Sequence, residues 1–200
     1  YGMSEASIIA SNRIDNVLAG SVGHALPGYE IRIVDNSGNA LTAGETGTVE
    51  VRGPSLCTGY WNRPDADAES RTLDGWFSTG DVGSLDATER LTLEGRSSDM
   101  IISGGLNIYP KEIEMVIDEV DGIVESAVVG HPHEDFGEVV TAYLVLESGT
   151  SLSALDLETP LTSLARFKHP KSVHVIAELP RNAMGKVQKN LLRSNKATPQ

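Results

Sequence analysis

The chain of 200 residues has one cysteine, Cys57, and lacks long apolar runs. A single cysteine excludes an intramolecular disulfide framework and is typical of a reducing environment. No stretch approaches the roughly 18 apolar residues of a membrane span, and no charged segment followed by an apolar one forms a signal at the start. We therefore expect a cytoplasmic protein without a membrane span.

The patterns of common metal and hydrolase sites are also missing. His131-Pro132-His133 invites a metal interpretation, but no further Cys or His stands nearby at ligand spacing. Neither His24 nor Cys57 has the sequence partners of a catalytic triad, which disfavours a serine or cysteine hydrolase. The 40% apolar content is enough for one large globular domain or two small ones.

Positive charge is scarce over most of the chain and concentrated near its end. Residues 1–165 hold 8 Lys and Arg against 27 Asp and Glu, whereas residues 166–200 hold 8 against one, within a net charge of −12. Nucleic-acid binding requires a wider basic surface, so we expect no nucleic-acid partner. The basic segment favours a compact polyphosphate ligand, although a solvated basic tail explains the same charges.

Alternating polar and apolar residues predict a small, mostly β unit over residues 1–97. The predicted strands are YEIRIVD at 29–35, GTVEVRG at 47–53, and short segments near 76–77 and at 91–94. Asn36-Ser37-Gly38-Asn39 supplies turn residues between the first two strands.

Beyond residue 97 the pattern becomes helix, strand, strand, helix, strand. Pro110 is placed to open a helix that runs to about Val120, with Ile113, Val116 and Ile117 on its apolar face. The remaining predicted elements are strands at 126–130 and 139–146, a helix at about 154–165, a strand at 172–177 and a second helix from about Lys186. This order predicts an α+β fold in which helices pack on a small sheet.

Four segments combine charged residues with glycine. They are YGMSE at 1–5, FSTGD at 77–81 after GYWNRPDA at 59–66, GRSSDMIISGGLNIYPKEIE at 95–114, and PRNAMGKVQKNLLR at 180–193. A carboxylate accepts two hydrogen bonds at once, an arginine offers a planar charged fork, and glycine lets backbone approach a ligand. A mobile lysine stabilises developing negative charge. Each shorter segment, taken alone, also fits an ordinary loop.

Together, in order and spacing, the four segments resemble the adenylate-forming enzymes, the AMP-binding acyl-CoA synthetase superfamily. The resemblance extends from the first residue to about Arg193. It implies that residues 1–97 are the C-terminal, β-rich part of the large AMP-binding domain and that residues 98–200 are the mobile C-terminal domain. It also implies ATP, Mg²⁺ and CoA as cofactors.

The resemblance assigns roles to individual residues, all named here by their numbers in this chain. It places Tyr1, Gly2, Ser4, Asp81 and Arg96 on the nucleotide, Glu5 on Mg²⁺, Ser103, Gly104 and Gly105 beside the acyl-adenylate and the pantetheine of CoA, and Lys168 on the CoA phosphates. Lys171 is an alternative to Lys168, and a solvated lysine is equally compatible with either position. Lys186 corresponds to the mobile catalytic lysine, and Ser98 to the hinge, where the family usually has Asp or Lys.

The reaction implied is the conversion of a carboxylate, ATP and CoA into acyl-CoA, AMP and pyrophosphate through an acyl-adenylate. GGLNIYPKEIE and SAVVGHPHEDFGEVVTAYLV resemble the malonyl-CoA and methylmalonyl-CoA synthetases most closely, so malonate or another small carboxylic acid is the expected substrate. Synthetases for medium-chain or aryl acids stay open, and so does a non-catalytic binding module derived from the fold.

The phosphate loop of the family, rich in Ser, Thr and Gly and containing a lysine, does not occur in the 200 residues, and the first residue is Tyr1. We therefore expect a piece of a longer protein whose N-terminal domain, in cis, supplies that loop. On this interpretation the chain is inactive by itself.

Overall fold

The computed structural model describes residues 1–194, and the chain divides into two compact units, Tyr1–Ser98 and Asp99 onward. Each unit has its own sheet and its own apolar core. The fold is α+β, as the sequence predicts. The division falls one residue after the predicted boundary, and the assignment of the two units to family domains stays a prediction.

The first unit is built around a six-stranded antiparallel sheet in the order β3-β4-β8-β7-β6-β5. Its elements are β1 (Gly2–Met3), β2 (Ser7–Ile8), β3 (Ala10–Ser11), β4 (Ser21–Ala25), β5 (Glu30–Val34), β6 (Gly47–Arg52), α1 (Pro64–Ser70), β7 (Phe77–Leu85) and β8 (Leu91–Arg96). β1 and β2 form a separate hairpin. β5 and β6 pair as predicted, with Ile33 opposite Val49.

Alternate residues of these strands form the core of the first unit. Ile33, Val49 and Phe77 are at most 3% exposed. Between the apolar positions, Arg32 Nε donates a hydrogen bond of 2.7 Å to Glu50 on the neighbouring strand. The alternation in the sequence therefore places the apolar side chains on one face of the sheet and the cross-strand Arg32–Glu50 ion pair on the other.

The second unit packs helices on a sheet in the order β10-β9-β12-β11, with β13 parallel to β12. Its elements are β9 (Ile101–Ser103), β10 (Leu106–Ile108), α2 (Pro110–Asp118), β11 (Ile123–His133), β12 (Gly137–Leu146), α3 (Glu158–Leu161), β13 (Ser172–Val175) and α4 (Lys189–Ser194). Ile113 and Ile117 of α2 are buried in one cluster with Val128 and Val140 of the sheet.

Two helix predictions in this unit need correction. The helix expected at about 154–165 is only α3. Pro160 prevents an earlier start, because its ring clashes with the carbonyl of a helical residue four positions before it. The leucines of this region still reach the core from irregular chain and 3₁₀ turns. The helix expected from about Lys186 begins at Lys189 instead, because Gly185, with φ +78°, lies in a turn.

Several short elements were not predicted from the sequence, namely β1, β2, β3, β4, α1 and β10. α1 has no buried residue and therefore no apolar periodicity, although Pro64 opens it. β4 contains Gly23 and His24 among its five residues, which interrupt the apolar alternation, and β10 is only three residues long. Within residues 1–194, no helix has the length and apolar character needed to cross a bilayer.

Candidate active site

Asp81 lies at the middle of β7, and two side chains hold its carboxylate. The Tyr1 hydroxyl donates a hydrogen bond of 2.5 Å to Oδ2, and Arg96 Nε lies 3.2 Å from Oδ1. Arg96 is directly opposite Asp81 in the register of β7 and β8, so the strand ladder itself aligns the ion pair. Three of the residues expected on the nucleotide thus lie together.

The three side chains differ in exposure, and the pKa of Tyr1 is shifted. Asp81 is 8% exposed, whereas about half of the Arg96 side chain faces solvent. Burial, and then the hydrogen bond to Asp81, raise the pKa of Tyr1 well above its usual range. The phenol therefore stays protonated and continues to donate at neutral pH. A buried carboxylate that accepts one hydrogen bond and forms one ion pair keeps further acceptor capacity for a ligand hydroxyl.

The bend before Asp81 is stabilised by Thr79. Its buried Oγ1 donates a hydrogen bond of 2.9 Å to the Val49 carbonyl and accepts one of 3.1 Å from the Asp81 N–H. Gly80, between them, has φ +73°, in the left-handed region that favours glycine. Sequence reasoning did not single out Thr79, although its place in FSTGD, two residues before the carboxylate, was the available signal.

Glu5 lies in the turn that joins β1 to β2 and is held from two sides. The Tyr60 hydroxyl donates a hydrogen bond of 2.9 Å to Glu5 Oε1, and the Cys57 N–H donates one of 2.6 Å to the Glu5 carbonyl. Burial, followed by the hydrogen bond to Glu5, raises the pKa of Tyr60 to about 12. Tyr60, within GYWNRPDA, is a second supporting residue that sequence reasoning missed.

The surroundings of Glu5 fit Mg²⁺ only together with a phosphate ligand. Within residues 1–194, no group of three or more His, Cys, Asp or Glu is arranged to hold a metal. Mg²⁺ commonly takes one or two carboxylates together with water and phosphate oxygens. The single, half-buried carboxylate of Glu5, which accepts one bond from Tyr60, suits that arrangement.

Gly2 and Ser4 lie beside Glu5 in the same hairpin. A Cβ on Gly2 would come within 2.5 Å of the Ser7 carbonyl oxygen, so the pairing of β1 with β2 requires glycine there whatever else it contacts. Ser4 is exposed in the turn.

In the second unit, Ser103 ends β9, and Gly104 and Gly105 connect it to β10. Gly104 and Gly105 have φ of +58° and +81°, the backbone that a tight two-residue hairpin demands. The Gly104 N–H donates 2.8 Å to the Phe136 carbonyl, and Ser103 pairs with Gly137. The backbone of this turn therefore explains the two glycines, whether or not a ligand binds beside them.

Lys186 is exposed on a loop that Asn182 organises. Asn182 Oδ1 accepts hydrogen bonds of 3.0 Å from the N–H groups of Met184 and Lys186, and the Asn182 N–H donates 2.9 Å to the Lys186 carbonyl. Arg181 Nη1 donates 2.6 Å to the Gly185 carbonyl. The loop is thus closed by its own residues and presents the lysine side chain outward. Asn182, an Asx-turn residue by type, was not singled out from the sequence.

The neighbouring lysines are held by acidic residues of α2. Lys189 Nζ lies 2.5 Å from Glu114 Oε1, with the two side chains 16% and 8% exposed. Lys168 Nζ lies 2.6 Å from Glu112 Oε2. The predicted contact of Lys168 with CoA phosphates therefore requires this ion pair to open, whereas Lys171 is exposed.

Ser98, the predicted hinge, is the last residue of the first unit and lies within the 3₁₀ turn Ser97–Asp99. Two family descriptions match the chain on either side of this turn. The AMP-binding enzyme family matches residues 1–61, and the AMP-binding enzyme C-terminal domain matches residues 112–186.

The chain belongs to the AMP-binding enzyme family. It is 46% identical over 177 residues to an indoleacetate–CoA ligase from Aromatoleum aromaticum, which covers 88% of this chain and 34% of the relative. A 2-succinylbenzoate–CoA ligase from Enterococcus faecalis is 38% identical over 193 residues, 95% of this chain and 39% of the relative.

The crystal structure of ATP-bound MatB from Rhodopseudomonas palustris is also similar to this member of the family. It shares 45% identity and a TM-score of 0.89 over 96% of this chain and 39% of that chain. The chain therefore spans between 34% and 39% of the length of these three proteins.

Proposed function

We propose that the chain forms part of an AMP-forming acyl-CoA synthetase. In the first step a carboxylate oxygen attacks the α-phosphorus of ATP, the bond to the β-phosphate breaks, and an acyl-adenylate and pyrophosphate result. In the second step the thiol sulfur of CoA attacks the acyl carbon, the thiol proton is released, and AMP leaves. The two CoA ligases described above support this assignment.

The observation that carries the proposal is the grouping of Tyr1, Asp81 and Arg96. Tyr1 and Arg96 hold the Asp81 carboxylate in one orientation, which suits it to accept hydrogen bonds from the ribose hydroxyls. Arg96 adds an exposed, permanently charged fork suited to phosphate oxygens. Glu5 would hold Mg²⁺, which neutralises phosphate charge when bound.

Lys186 is the proposed catalytic residue of adenylation. Lys168 and Lys189 are already paired with Glu112 and Glu114, whereas Lys186 is exposed on a loop closed by Asn182. Its ammonium group would stabilise the negative charge that develops between the carboxylate and the α-phosphate. Ser103, Gly104 and Gly105 would then border the pantetheine of CoA in the second step, after rotation about Ser98.

Malonate, or another small carboxylic acid, is the proposed substrate, in keeping with the resemblance of GGLNIYPKEIE to malonyl-CoA synthetases. An aryl acid is the second candidate, because a relative that is 46% identical is an indoleacetate–CoA ligase. A panel of malonate, methylmalonate, indoleacetate and octanoate, assayed for thioester formation with the full-length enzyme, separates these classes. A preference for indoleacetate would reverse the order of the two candidates.

The partner in cis is proposed to be an N-terminal domain that supplies the phosphate loop, with the reaction taking place in the cytoplasm.

The test of the proposed function replaces Lys186 with alanine in the full-length enzyme, with Lys111→Ala as control, because Lys111 is exposed on α2. We expect ATP–pyrophosphate exchange to fall about 100-fold to 1,000-fold, the scale of losing one oxyanion-stabilising group. Thioester formation from supplied acyl-adenylate should fall much less. Unchanged exchange in Lys186→Ala would favour the non-catalytic binding module instead.

A further inference from the structure

The residue before the hinge is attached to the nucleotide side of the first unit. Ser97 Oγ donates a hydrogen bond of 3.0 Å to the Gly80 carbonyl. Gly80 directly precedes Asp81, and Arg96, next to Ser97, pairs with Asp81. Two side-chain contacts therefore join the end of β8 to β7, the Arg96–Asp81 ion pair and the hydrogen bond from Ser97 to Gly80. Ser97 is the residue before Ser98.

The residue after the hinge is attached to α4 in the second unit. Arg193 Nη2 donates a hydrogen bond of 3.0 Å to the Asp99 carbonyl, across 94 positions of sequence. A hydrogen bond from a charged donor is stronger than one between neutral groups. The backbone that leaves the hinge is thus held by the helix at the other end of the unit.

α4 is itself firmly packed. Leu192, beside Arg193, is 3% exposed in a core cluster with Tyr143 and Leu179, and Lys189 forms the buried ion pair with Glu114. The same helix follows the Lys186 loop by two residues. One packed segment therefore carries both the lysine and the arginine that contacts Asp99.

We propose that Ser97 and Arg193 are positioning residues that fix the two ends of the hinge, so that backbone rotation is confined to the bonds around Ser98. Arg193 also joins Asp99 to α4, so Lys186 turns with the backbone that leaves the hinge. The purpose of this restraint depends on the proposed function, which alternates two orientations of the second unit. The restraint itself does not depend on catalysis.

The test measures hydrogen–deuterium exchange of the amides at 97–101 in the chain without substrate. The variants are Arg193→Gln and Ser97→Ala, and Arg193→Lys retains the charge. Matched controls are Arg166→Gln and Ser194→Ala, since Arg166 is an exposed arginine of the second unit and Ser194 Oγ donates a hydrogen bond within α4, to the Leu191 carbonyl.

We expect exchange at 97–101 to rise about tenfold in Arg193→Gln, the change that corresponds to losing one hydrogen bond of a charged donor, and severalfold in Ser97→Ala. Arg193→Lys should recover part of the protection, and both controls should match the wild type. Amides of β11 and β12 should keep their wild-type rates.

Wild-type rates at the hinge in both folded variants would overturn the proposal. A second outcome would also overturn it. In this outcome Arg193→Gln raises the exchange rate equally over the whole second unit, which would show general destabilisation, and Ser97→Ala leaves the exchange rate at 97–101 unchanged. Because the readout needs no substrate, failure here would leave the proposed function standing, and an inactive enzyme would leave a positive result standing.

Discussion

Two lysines three positions apart show how strongly the environment of a residue determines its role. Lys186 is exposed on a closed loop, and Lys189 is almost buried against Glu114. Glu114 Oε1 also accepts a hydrogen bond of 2.8 Å from the Val128 N–H, so the ion pair joins α2, α4 and β11. A lysine with this burial contributes to stability, whereas an exposed one is available for a ligand.

Replacing Lys189 with methionine should destabilise the chain by about 3 kcal/mol, because the Glu114 carboxylate would remain buried without its counter-charge. Lys186→Met, the matched control, should change the free energy of unfolding by less than about 0.5 kcal/mol. Urea unfolding followed by circular dichroism measures both. Equal values for the two variants would contradict the structural role given to Lys189.

We expect His131 to make the stability of the second unit depend on pH. Its Nε2 lies 2.9 Å from the Tyr143 hydroxyl, and burial, then the neighbouring His174, lower the pKa of His131 below its usual value near 6.5. With a lowered pKa in the folded state, the unfolded chain binds more protons as pH falls through 6.5. Stability contributed by neutral His131 is therefore present above this pH and is lost below it.

We expect the urea midpoint of the chain to fall between pH 7.5 and pH 5.5, and His131→Gln to reduce that fall. His133→Gln is the control, because His133 is exposed in the same strand. A fall of unchanged size in His131→Gln would show that other groups determine the pH dependence.

At the scale of elements, the longer strands were easier to predict than the helices. β5 and β6 alternate polar and apolar residues because one face is buried, and the period of two is visible in the letters. The leucines between 152 and 164 suggest a helix by spacing, but Pro160 prevents a helix that begins near residue 154, and the leucines reach the core individually. α1 lacked any buried face to leave a pattern.

The elements of the candidate site were found through motifs, and the contacts between them were not. No sequence rule shows that Tyr1 reaches Asp81 across 80 positions, because that contact depends on β1 lying near the middle of β7. The same holds for Tyr60 on Glu5. The resemblance supplied residue types and roles, whereas the fold supplied the neighbours that orient them.

β7 provides a prediction at this scale, because its Thr79 fixes the bend that presents Asp81. Thr79→Val should destabilise the chain by about 1–3 kcal/mol, since the buried Val49 carbonyl and Asp81 N–H both lose a partner in a substitution of the same shape. Thr79→Ser keeps the hydroxyl and should lose less. Thermal unfolding compares the two, and a serine variant as unstable as the valine variant would assign the effect to packing instead.

At the scale of the whole molecule, the apolar clusters within residues 1–194 share no residue between the two units. The first unit has one cluster, with Val49 and Phe77, and the second has two, one with Ile113 and Val140 and one with Tyr143. Tyr1, Asp81 and Arg96, which we propose bind the nucleotide, belong to the first unit, and Lys186 belongs to the second, so the proposed chemistry divides at Ser98. The family matches fall on both sides of that division.

The chain by itself should not catalyse ATP–pyrophosphate exchange with malonate above a protein-free blank. The reason is that no Ser/Thr/Gly-rich phosphate loop occurs in the 200 residues, and positioning of the transferred phosphate accounts for most of such catalysis. The measurement is isotope exchange into ATP, with a full-length relative as positive control. Robust exchange by the chain would show that these residues suffice.

The turn at Gly104 and Gly105 has a consequence for how this loop can vary. Because both residues have left-handed backbone angles, a mirror-image alanine would fit where the encoded alanine costs about 1–2 kcal/mol. The space is not the limit, since a Cβ on Gly105 would meet no atom within 4 Å. The handedness of the backbone alone therefore disfavours the encoded residues that carry a side chain at these two positions. A substitution there strains the turn, so we expect this loop to vary in length more readily than in side chain.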